Sequence, residues 1–434
     1  MDSLAAPAPA AARKSSYWRD PSAWLRNLKL SRDYWIFFSA AFFFDAGFSI
    51  YFFLFNLYLL DRGFNERAMG WIGGAATLGS LIGTLPAGIP VRRFGVRPML
   101  VLLFLSAPLL NAARATWVWE PAQIGLAFLS GLAICTWGVC FLPAVARLTS
   151  DENRTAGFSL IFSVSVATSM LGGIVCGYLR EWLAHAGIAM QPAEVKRLIL
   201  LTSCAVVLFG LIPVLRLRIP AQPDVERVSD SKPKTSFFKQ RLHPFLVRFL
   251  PSMALWSAVL AAFTPFANIY LVRDLHVSMA RIGLIFTAVQ LVQFCMGLVT
   301  PSLFRKMGLM NGISATQAAA AVVLASLAAA HNQTLAIALY MTFSAAQWAS
   351  SPGLYNLLMN EVPDAERSSA AAMTMFSNAL SGSIATALAG TLFTRFGYPP
   401  VLWGLALTGF GVSLLFRFLV PCSEKPIRQE AASA

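Results

Sequence analysis

Charged residues are scarce in this chain of 434 residues, and long apolar runs take their place. Asp, Glu, Lys and Arg together make up 12% of the sequence, whereas a soluble protein carries about 25%, and 57% of the residues are hydrophobic. The mean hydropathy is +0.62. This composition excludes a water-soluble protein and predicts a membrane protein over most of the chain.

The signatures of the common enzyme classes are also missing. Because the sequence has no Gly-Lys dipeptide, it has no GxxxxGK phosphate loop, and neither HExxH nor GxSxG occurs. The four histidines fall at or beyond the ends of apolar stretches, and the six cysteines include no CxxC pair. The sequence therefore predicts no enzyme, no metal site and no cofactor, and binding with proton exchange is the chemistry that remains.

Twelve apolar stretches are long enough to cross a bilayer as α-helices, since about 20 residues cover a hydrocarbon core of about 30 Å. We place them at residues 34–60, 67–90, 98–117, 121–147, 154–182, 198–216, 246–272, 280–303, 309–330, 333–360, 366–394 and 399–420. The predicted organisation has two six-helix bundles, an N-terminal one (34–216) and a C-terminal one (246–420). A polar linker (217–245) with a short surface helix at 237–242 connects them. A tail with a membrane-surface segment (1–33) precedes the first bundle, and a second tail (421–434) follows the second.

The net charge of +14 follows the predicted topology. Most of the 34 Lys and Arg residues lie on the side of the two tails and the linker. This is the positive-inside bias, so we predict that both termini are cytoplasmic and that the surplus charge needs no nucleic-acid partner. The first 16 residues lack the apolar core of a secretory signal, so the first span is expected to direct insertion into the cell (inner) membrane.

Short motifs recur in the two halves at a nearly constant separation of 212 or 213 residues. NLYL at 56–59 matches NIYL at 268–271, RRFG at 92–95 matches RKMG at 305–308, and DENR at 151–154 matches DAER at 364–367. Chance accounts for one such match, but several in register indicate an internal duplication. Halves with an even number of spans keep the same orientation, so their symmetry axis runs along the membrane normal.

These features resemble a transporter of the major facilitator superfamily. The turn after the second span of that family is written G-x-x-x-D-R/K-x-G-x-R/K, and Gly88, Arg93, Gly95 and Arg97 stand at the matching places. Arg92 stands where the family prefers Asp. The resemblance implies an all-α membrane protein with 12 transmembrane helices in two pseudo-symmetric six-helix bundles (the MFS-type fold), in which this turn braces the two halves on the cytoplasmic side.

The brace is expected to pair basic turns with acidic starts of spans. Because Arg92 reverses the sign of the family's Asp, the acids expected to supply the opposite charge are Asp364 and Glu366, at the start of the eleventh span. The repeat adds further members to the predicted cytoplasmic gate, namely Asp151, Arg154, Arg305, Lys306, Gly308 and Arg367.

Asp45 is the only one of the 20 acidic residues that lies deep in an apolar span. A charged side chain at the bilayer centre costs about 3 kcal/mol on insertion scales, so it normally faces a bundle interior or an aqueous cavity. Two interpretations are open: a structural carboxyl that bonds to a neighbouring helix, and a proton-coupling site. The resemblance favours coupling, because first-span acids have this role in many proton-driven members of the family.

Other candidate site residues share a helix face or a repeat position with this acid. Ser49, Phe52 and Asn56 continue its face at helical spacing. Asn56 and Asn268 are equivalent in the two halves, either as substrate-facing residues or as interhelical hydrogen-bonding residues. The remaining candidates are polar or aromatic residues in later spans, namely Trp137, Thr264, Gln290, Gln293, Gln347 and Trp348.

The combined prediction is a secondary active transporter that works by alternating access, with protons as coupling ion and a small-molecule substrate. The many phenylalanines of the first span favour a partly apolar substrate. We expect proton-coupled export of a small amphiphilic compound, and proton-coupled uptake or facilitated diffusion of a polar metabolite is the alternative. Outside transport, the alternatives are a non-transporting membrane receptor and a membrane-embedded enzyme. We expect a monomer in the lipid bilayer.

Overall fold

The computed structural model describes residues 30–150, 153–185, 187, 190–219, 243–363 and 366–420. Every regular element in these ranges is a helix. Several predictions lie outside the described residues: the surface segment of the first tail up to residue 29, the linker helix at 237–242, and Asp151 and Asp364 of the gate.

The helices form twelve spans, which we number α1 to α12. The first half contains α1 (Arg32–Asp61), α2 (Glu66–Phe94), α3 (Val96–Thr116), α4 (Glu120–Leu148), α5 (Arg154–His185) and α6 (Pro192–Phe209, continued by Leu211–Arg216). The second half contains α7 (Pro244–Phe263, a 3-10 turn at Thr264–Phe266, then Ala267–Arg273), α8 (Met279–Met307), α9 (Leu309–Ala328), α10 (Gln333–Ala349, then Ser351–Glu361), α11 (Arg367–Phe396) and α12 (Tyr398–Leu419). Each overlaps its predicted position, and the all-helical fold is confirmed.

Nine of the helices within the described ranges are long and apolar enough to cross a membrane, judged by length and composition. The three spans that fall short are α2, α10 and α11. Helices α2 and α11 are rich in small residues and pack against each other between the halves, where small side chains let two backbones approach closely. Span α10 is divided into two shorter helices at Ser350.

The turn between α2 and α3 has the same backbone geometry as the turn between α8 and α9. Gly95 has φ +88° and ψ 166°, and Gly308 has φ +79° and ψ 162°. A residue with a Cβ is strained at such φ values, so glycine allows these abrupt connections between helices. Equal geometry at equivalent positions is what a duplicated six-helix unit predicts.

The α-helix of span α7 is interrupted where the sequence reads Thr264-Pro265-Phe266. The α-helix gives way to a 3-10 turn at these residues, because proline lacks the backbone N–H and its ring crowds the preceding turn. The break in α10 falls at Ser350, beside the run of Ser, Pro and Gly that the sequence marks as helix-loosening. Both broken spans contribute to the space between the halves.

The two halves share their hydrophobic core on one side only. The helix ends Arg216 and Pro244, which the linker connects, define one face of the molecule, named the linker face here; the other is named the opposite face. One buried cluster combines the opposite-face part of the first half with the second half. A separate cluster, around Tyr34 and Phe104, belongs to the linker-face part of the first half alone. Apolar packing therefore joins the halves towards the opposite face.

Glycines bring the helices of the two halves into backbone contact near the opposite face. A Cβ on Gly390 of α11 would lie 2.2 Å from the Glu66 carbonyl oxygen of α2. A Cβ on Gly283 of α8 would lie 2.3 Å from the Gly173 carbonyl oxygen of α5. Distances this short exclude any larger side chain, so both contacts depend on glycine.

The predicted orientation can be tested by labelling single cysteines in a cysteine-free background. A cysteine in the linker should react with a membrane-impermeant maleimide only from the cytoplasmic side, because the positive-inside bias places the linker there. A cysteine at Asn332, which begins α10 on the opposite face, should react only from outside. A permeant maleimide should label both positions, and the reversed pattern with the impermeant reagent would overturn the orientation.

Candidate functional site

A cavity of about 480 Å³ lies between the two halves. Its walls come from the first three spans of the first half and from α7, α8, α10 and α11 of the second. Eight of the predicted site residues line it: Phe52, Asn56, Thr264, Asn268, Gln290, Gln293, Gln347 and Trp348. This volume is in the range of small-molecule sites, which are usually clefts of about 300–1,000 Å³.

Two equivalent asparagines connect α1 with α7 at the wall of this cavity. The Asn56 Nδ2 group donates a hydrogen bond to the Pro265 carbonyl oxygen at 2.7 Å, and the Asn268 Nδ2 group donates one to the Phe53 carbonyl oxygen at 3.1 Å. Phe53 and Pro265 are related by the same sequence separation as the two asparagines, so the bonds are reciprocal across the pseudo-symmetry axis. Both side chains thus bond between helices and also line the cavity.

An ion pair joins the halves at the opposite face. Glu66, at the start of α2, is buried and pairs with Arg273, at the end of α7. The neighbouring Asp274 lies just beyond α7, where burial and then the negative charge of Glu66 raise the pKa of its carboxyl above the ordinary value. The Arg273 side chain is 51% exposed, so solvent screens the pair, but loss of Arg273 would leave the buried Glu66 carboxylate without its counter-charge. The pair therefore adds to the closure of this face.

Hydroxyl groups make two further bonds between the halves. The Ser383 hydroxyl of α11 donates to the Gly74 carbonyl oxygen of α2 at 2.6 Å, and the Thr287 hydroxyl of α8 donates to the Met170 carbonyl oxygen of α5 at 2.9 Å. With the asparagines, the ion pair and the glycine contacts, they close the cavity towards the opposite face.

The second-half wall of the cavity carries an amide and hydroxyl network. The Thr264 hydroxyl donates to Gln347 Oε1 at 3.1 Å, and Gln293 Nε2 donates to the Ser344 carbonyl oxygen at 2.9 Å. Gln290 lines the same wall. The network offers hydrogen-bonding groups to a polar substrate without placing a charge on this side.

The cavity continues towards the linker face along α7 and α10. A second space of about 320 Å³ shares Thr264 and Trp348 with the first and reaches Met253 and Tyr355. Phe52 lines the first space and Trp348 lines both, and their side chains are 61% and 59% exposed because they face this open volume. The continuous space therefore reaches from the closed end, through the middle of the molecule, towards the linker face.

Asp45 and Ser49 do not line these spaces but face span α5. Asp45 is half-buried, and the Ser165 hydroxyl of α5 hydrogen-bonds its carboxylate. The Ser49 hydroxyl donates to the Ala46 carbonyl oxygen at 3.2 Å and lies 3.5 Å from the Thr168 carbonyl oxygen. The predicted stripe on α1 is therefore divided: its linker-side part contacts α5, and its other part, Phe52 with Asn56, faces the cavity.

Trp137 belongs to an aromatic cluster inside the first half. Its ring stacks on Phe44 with centroids 4.2 Å apart and on Phe37 at 5.9 Å. Phe104 and Phe141 complete the cluster at its edges. Trp137 is not among the residues that line the cavity, so its position is one of packing between α1, α3 and α4.

The predicted gate residues lie at the linker face. Gly95 and Gly308 form the two equivalent turns, and Arg97 donates a hydrogen bond to the Leu215 carbonyl oxygen within its own half. Arg305 donates to Ser302 at 3.0 Å, and Arg367 donates to the Val362 carbonyl oxygen at 3.3 Å. In the first half, Gly88 and Arg92 lie near the end of α2, Arg93 is exposed beside Phe94, and Arg154 lies at the start of α5. In the second half, Lys306 is exposed at the end of α8, and Glu366 is the N-cap residue of α11.

The cavity also contains residues to which the sequence analysis assigned no role. Arg114 of α3 is buried and lines it, together with Tyr51, Phe55 and Tyr340. One sequence signal for Arg114 exists, since it follows Asn111 by three residues in an otherwise apolar span, which places both on one helix face. Because Arg114 lies close to the predicted end of the third span, it does not stand out in the sequence as a residue of the span interior.

Within the described ranges, no group of three His, Cys, Asp or Glu residues is arranged to hold a metal ion. Five cysteines of these ranges are free thiols; Cys135, Cys140, Cys176 and Cys204 are buried and Cys295 is exposed.

Comparison with known proteins gives a consistent result. The family model described as Major Facilitator Superfamily matches residues 37–386. Among solved structures the chain is similar to a D-xylose-proton symporter, with 15% identity, a TM-score of 0.71 and coverage of 90% of this chain and 98% of that one. It is also similar to a mutant of the nucleoside transporter NupG (13% identity, TM-score 0.75, coverage 89% and 99%) and to the xylose transporter XylE from E. coli in an inward-open conformation (13%, 0.68, 90% and 96%). At such identities these likenesses establish the fold alone, and a search of curated proteins finds no match.

Proposed function

Because the chain belongs to the major facilitator superfamily, we propose that it is a proton-coupled secondary transporter that moves a small amphiphilic compound by alternating access. The observation that carries the proposal is the cavity between the halves, closed towards the opposite face and continuous towards the linker face. A transporter needs a polar-lined site that the rocking of two halves exposes to one side at a time. An enzyme would need a cluster of catalytic groups instead.

The lining of the cavity supports an amphiphilic substrate. Aromatic side chains from both halves form much of its surface, and the amides of the second half add hydrogen-bonding groups. Sites of this composition bind ligands by burying an apolar part and orienting a few polar groups. A purely polar metabolite would leave the aromatic surface unused.

Proton coupling is assigned to Asp45. Its carboxyl lies at the contact between α1 and α5, and α5 in turn packs against α8 of the other half. Rocking of the halves changes the contacts of α5, so the solvation of this carboxyl is coupled to the conformational state. Burial disfavours a charged carboxylate, and protonation therefore stabilises whichever state buries the group more deeply.

Two directions of transport are supported. Export is the direction we propose for an amphiphilic compound, whereas the likeness to a D-xylose-proton symporter favours movement of substrate together with protons. Export requires exchange of substrate against protons, and uptake requires movement of both in the same direction. The two hypotheses therefore predict opposite responses to the same pH gradient.

The test is transport in proteoliposomes of known protein orientation, with a pH gradient imposed in either direction. We expect a compound of the active class to accumulate against its gradient in one polarity and to equilibrate without a gradient. Protein-free liposomes and liposomes treated with a protonophore are the controls. Movement that ignores the pH gradient would contradict proton coupling, and no movement of any compound in a broad panel would contradict a transport function.

A further inference from the structure

Arg114 extends from α3 into the wall of the central cavity. The residue is 6% exposed although it lies only two positions before the end of its helix. Side chains on a helix lean towards its N-terminus, which for α3 means towards the middle of the molecule and away from the opposite face. The guanidinium carbon lies 4.2 Å from the ring centroid of Phe55, which also lines the cavity. The charge is thus held at the substrate space rather than in solvent.

The guanidinium has few partners of its own. No ion pair among the described residues includes Arg114. Among the described residues the guanidinium makes one hydrogen bond, from Nη1 to Asn111 Oδ1, which is long at 3.5 Å; the same oxygen accepts a bond from the Ser130 hydroxyl at 2.7 Å. The Nε group is buried and has no hydrogen-bond partner in the part of the chain that the structure describes. A guanidinium has five N–H donors, so most of its hydrogen-bonding capacity remains free.

The protein residues around this guanidinium do not compensate for its burial by themselves. Removing a cation from water costs several kcal/mol, and a counter-charge normally compensates for that cost. The stacking on Phe55 offsets part of this cost, because the face of an aromatic ring carries only a partial negative charge. A bound anion would supply the missing charge and two acceptor oxygens for the guanidinium fork.

One residue alone, among the described residues of the cavity wall, can bind an anion by its charge. Among the described residues that line it, Arg114 is the single Lys, Arg, Asp or Glu side chain. The equivalent position of the second half is Leu327, so the duplication did not produce a second cation. One unpaired charge in a space of about 480 Å³ selects for a single negative group on a small molecule.

We infer that the transported compound is a small organic monoanion whose carboxylate binds Arg114, an inference that rests on the proposed transport function. The carboxylate lies towards the closed opposite face, where Arg114 and Phe55 stand. The remainder of the compound extends towards Phe52 and Trp348, with the amides of Gln290 and Gln347 in reach of its polar groups.

The test compares acids with neutral analogues of the same shape on the purified full-length protein. The probes are benzoate against benzamide and glucuronate against glucose, and the readout is the concentration that stabilises the protein against thermal unfolding. Charge-assisted hydrogen bonds exceed neutral ones by roughly 1.4 kcal/mol, so at least one acid should act at about tenfold lower concentration than its neutral partner. Equal action of both members of each pair, or no effect of either acid at millimolar concentration, would overturn the inference.

Three variants assign the effect to the residue. Arg114→Gln should remove the preference for the acid, and Arg114→Lys should retain part of it, because an ammonium keeps the charge but not the fork. Arg395→Gln is the matched control: Arg395 stacks on Phe396 at the same face but is exposed and does not line the cavity. An unchanged preference in Arg114→Gln would place the anion site elsewhere. Should this variant not fold, the wild-type pairs and Arg114→Lys still decide.

Counterflow in proteoliposomes separates this inference from the proposed function. Movement of neutral compounds with no preference for acids would leave transport intact and remove the anion site. Binding of acids through Arg114 without movement of any compound would support the anion site and contradict the transport function.

Discussion

Replacing Asp45 with Asn is expected to abolish accumulation of substrate driven by a pH gradient, while binding and gradient-free exchange persist. The substitution keeps the size of the side chain and a hydrogen bond with Ser165 of α5, but it removes the titration. Coupling requires that protonation and conformational state influence each other, and an amide has no protonation step to offer. The measurement is accumulation in proteoliposomes with and without an imposed pH gradient.

Two further variants are needed to interpret the result for Asp45→Asn. Glu120→Gln makes the same acid-to-amide change at an exposed site at the start of α4 and should leave accumulation intact. Ser165→Ala removes the hydrogen bond but keeps the carboxyl, so it should alter the pH dependence without abolishing coupling. Normal accumulation by the Asp45→Asn protein, compared at equal amounts of folded and monodisperse protein, would make Asp45 a structural residue.

Replacing Gly283 with Ala is expected to slow transport by about tenfold or more, because it opens the contact between α5 and α8. The new Cβ would lie 2.3 Å from the Gly173 carbonyl oxygen and 3.0 Å from the Gly177 Cα. Both are backbone atoms, which cannot rotate away as a side chain can. Overpacking of this kind costs about 1–3 kcal/mol, and each 1.4 kcal/mol shifts a conformational equilibrium about tenfold. The state closed at the opposite face should lose population.

The same helix provides the matched control. A Cβ on Gly297 of α8 meets nothing within 4 Å, so Gly297→Ala makes the same change in helix propensity without a clash. Spin labels at His185 and Ser278, exposed at the ends of α5 and α8 on the opposite face, report the separation directly. The distance distribution should lengthen in Gly283→Ala and stay unchanged in Gly297→Ala. An unchanged distribution in both would mean that this contact does not control closure.

Some of the site followed from helical periodicity alone. Phe52 and Asn56 share a face of α1, and Asn268 and Thr264 take the equivalent places in α7. All four line the cavity, since equivalent faces of a duplicated unit must meet across its symmetry axis. Periodicity does not place a helix face against a particular neighbour, however, and Asp45 and Ser49 of the same stripe face α5 instead.

The direction of the Arg114 side chain could not be predicted from helical periodicity. A basic residue near the end of a span is normally predicted to extend to the membrane surface, because long cationic side chains reach water there at little cost. The surrounding helices instead keep the guanidinium inside, over Phe55. Only the packing of α1 against α3 distinguishes these two directions.

The sequence by itself determined the membrane class, the twelve helical spans and the duplication into two halves. Hydropathy and length are properties of each segment alone, because every backbone polar group in a bilayer must be satisfied within its own helix. The tertiary structure decided how each helix is rotated and which face of the molecule is closed. It also decided that, among the described residues, Arg114 is the one cation that lines the cavity without an ion-pair partner. These features depend on contacts between residues about two hundred positions apart, and such contacts arise from close packing of side chains that no local pattern encodes.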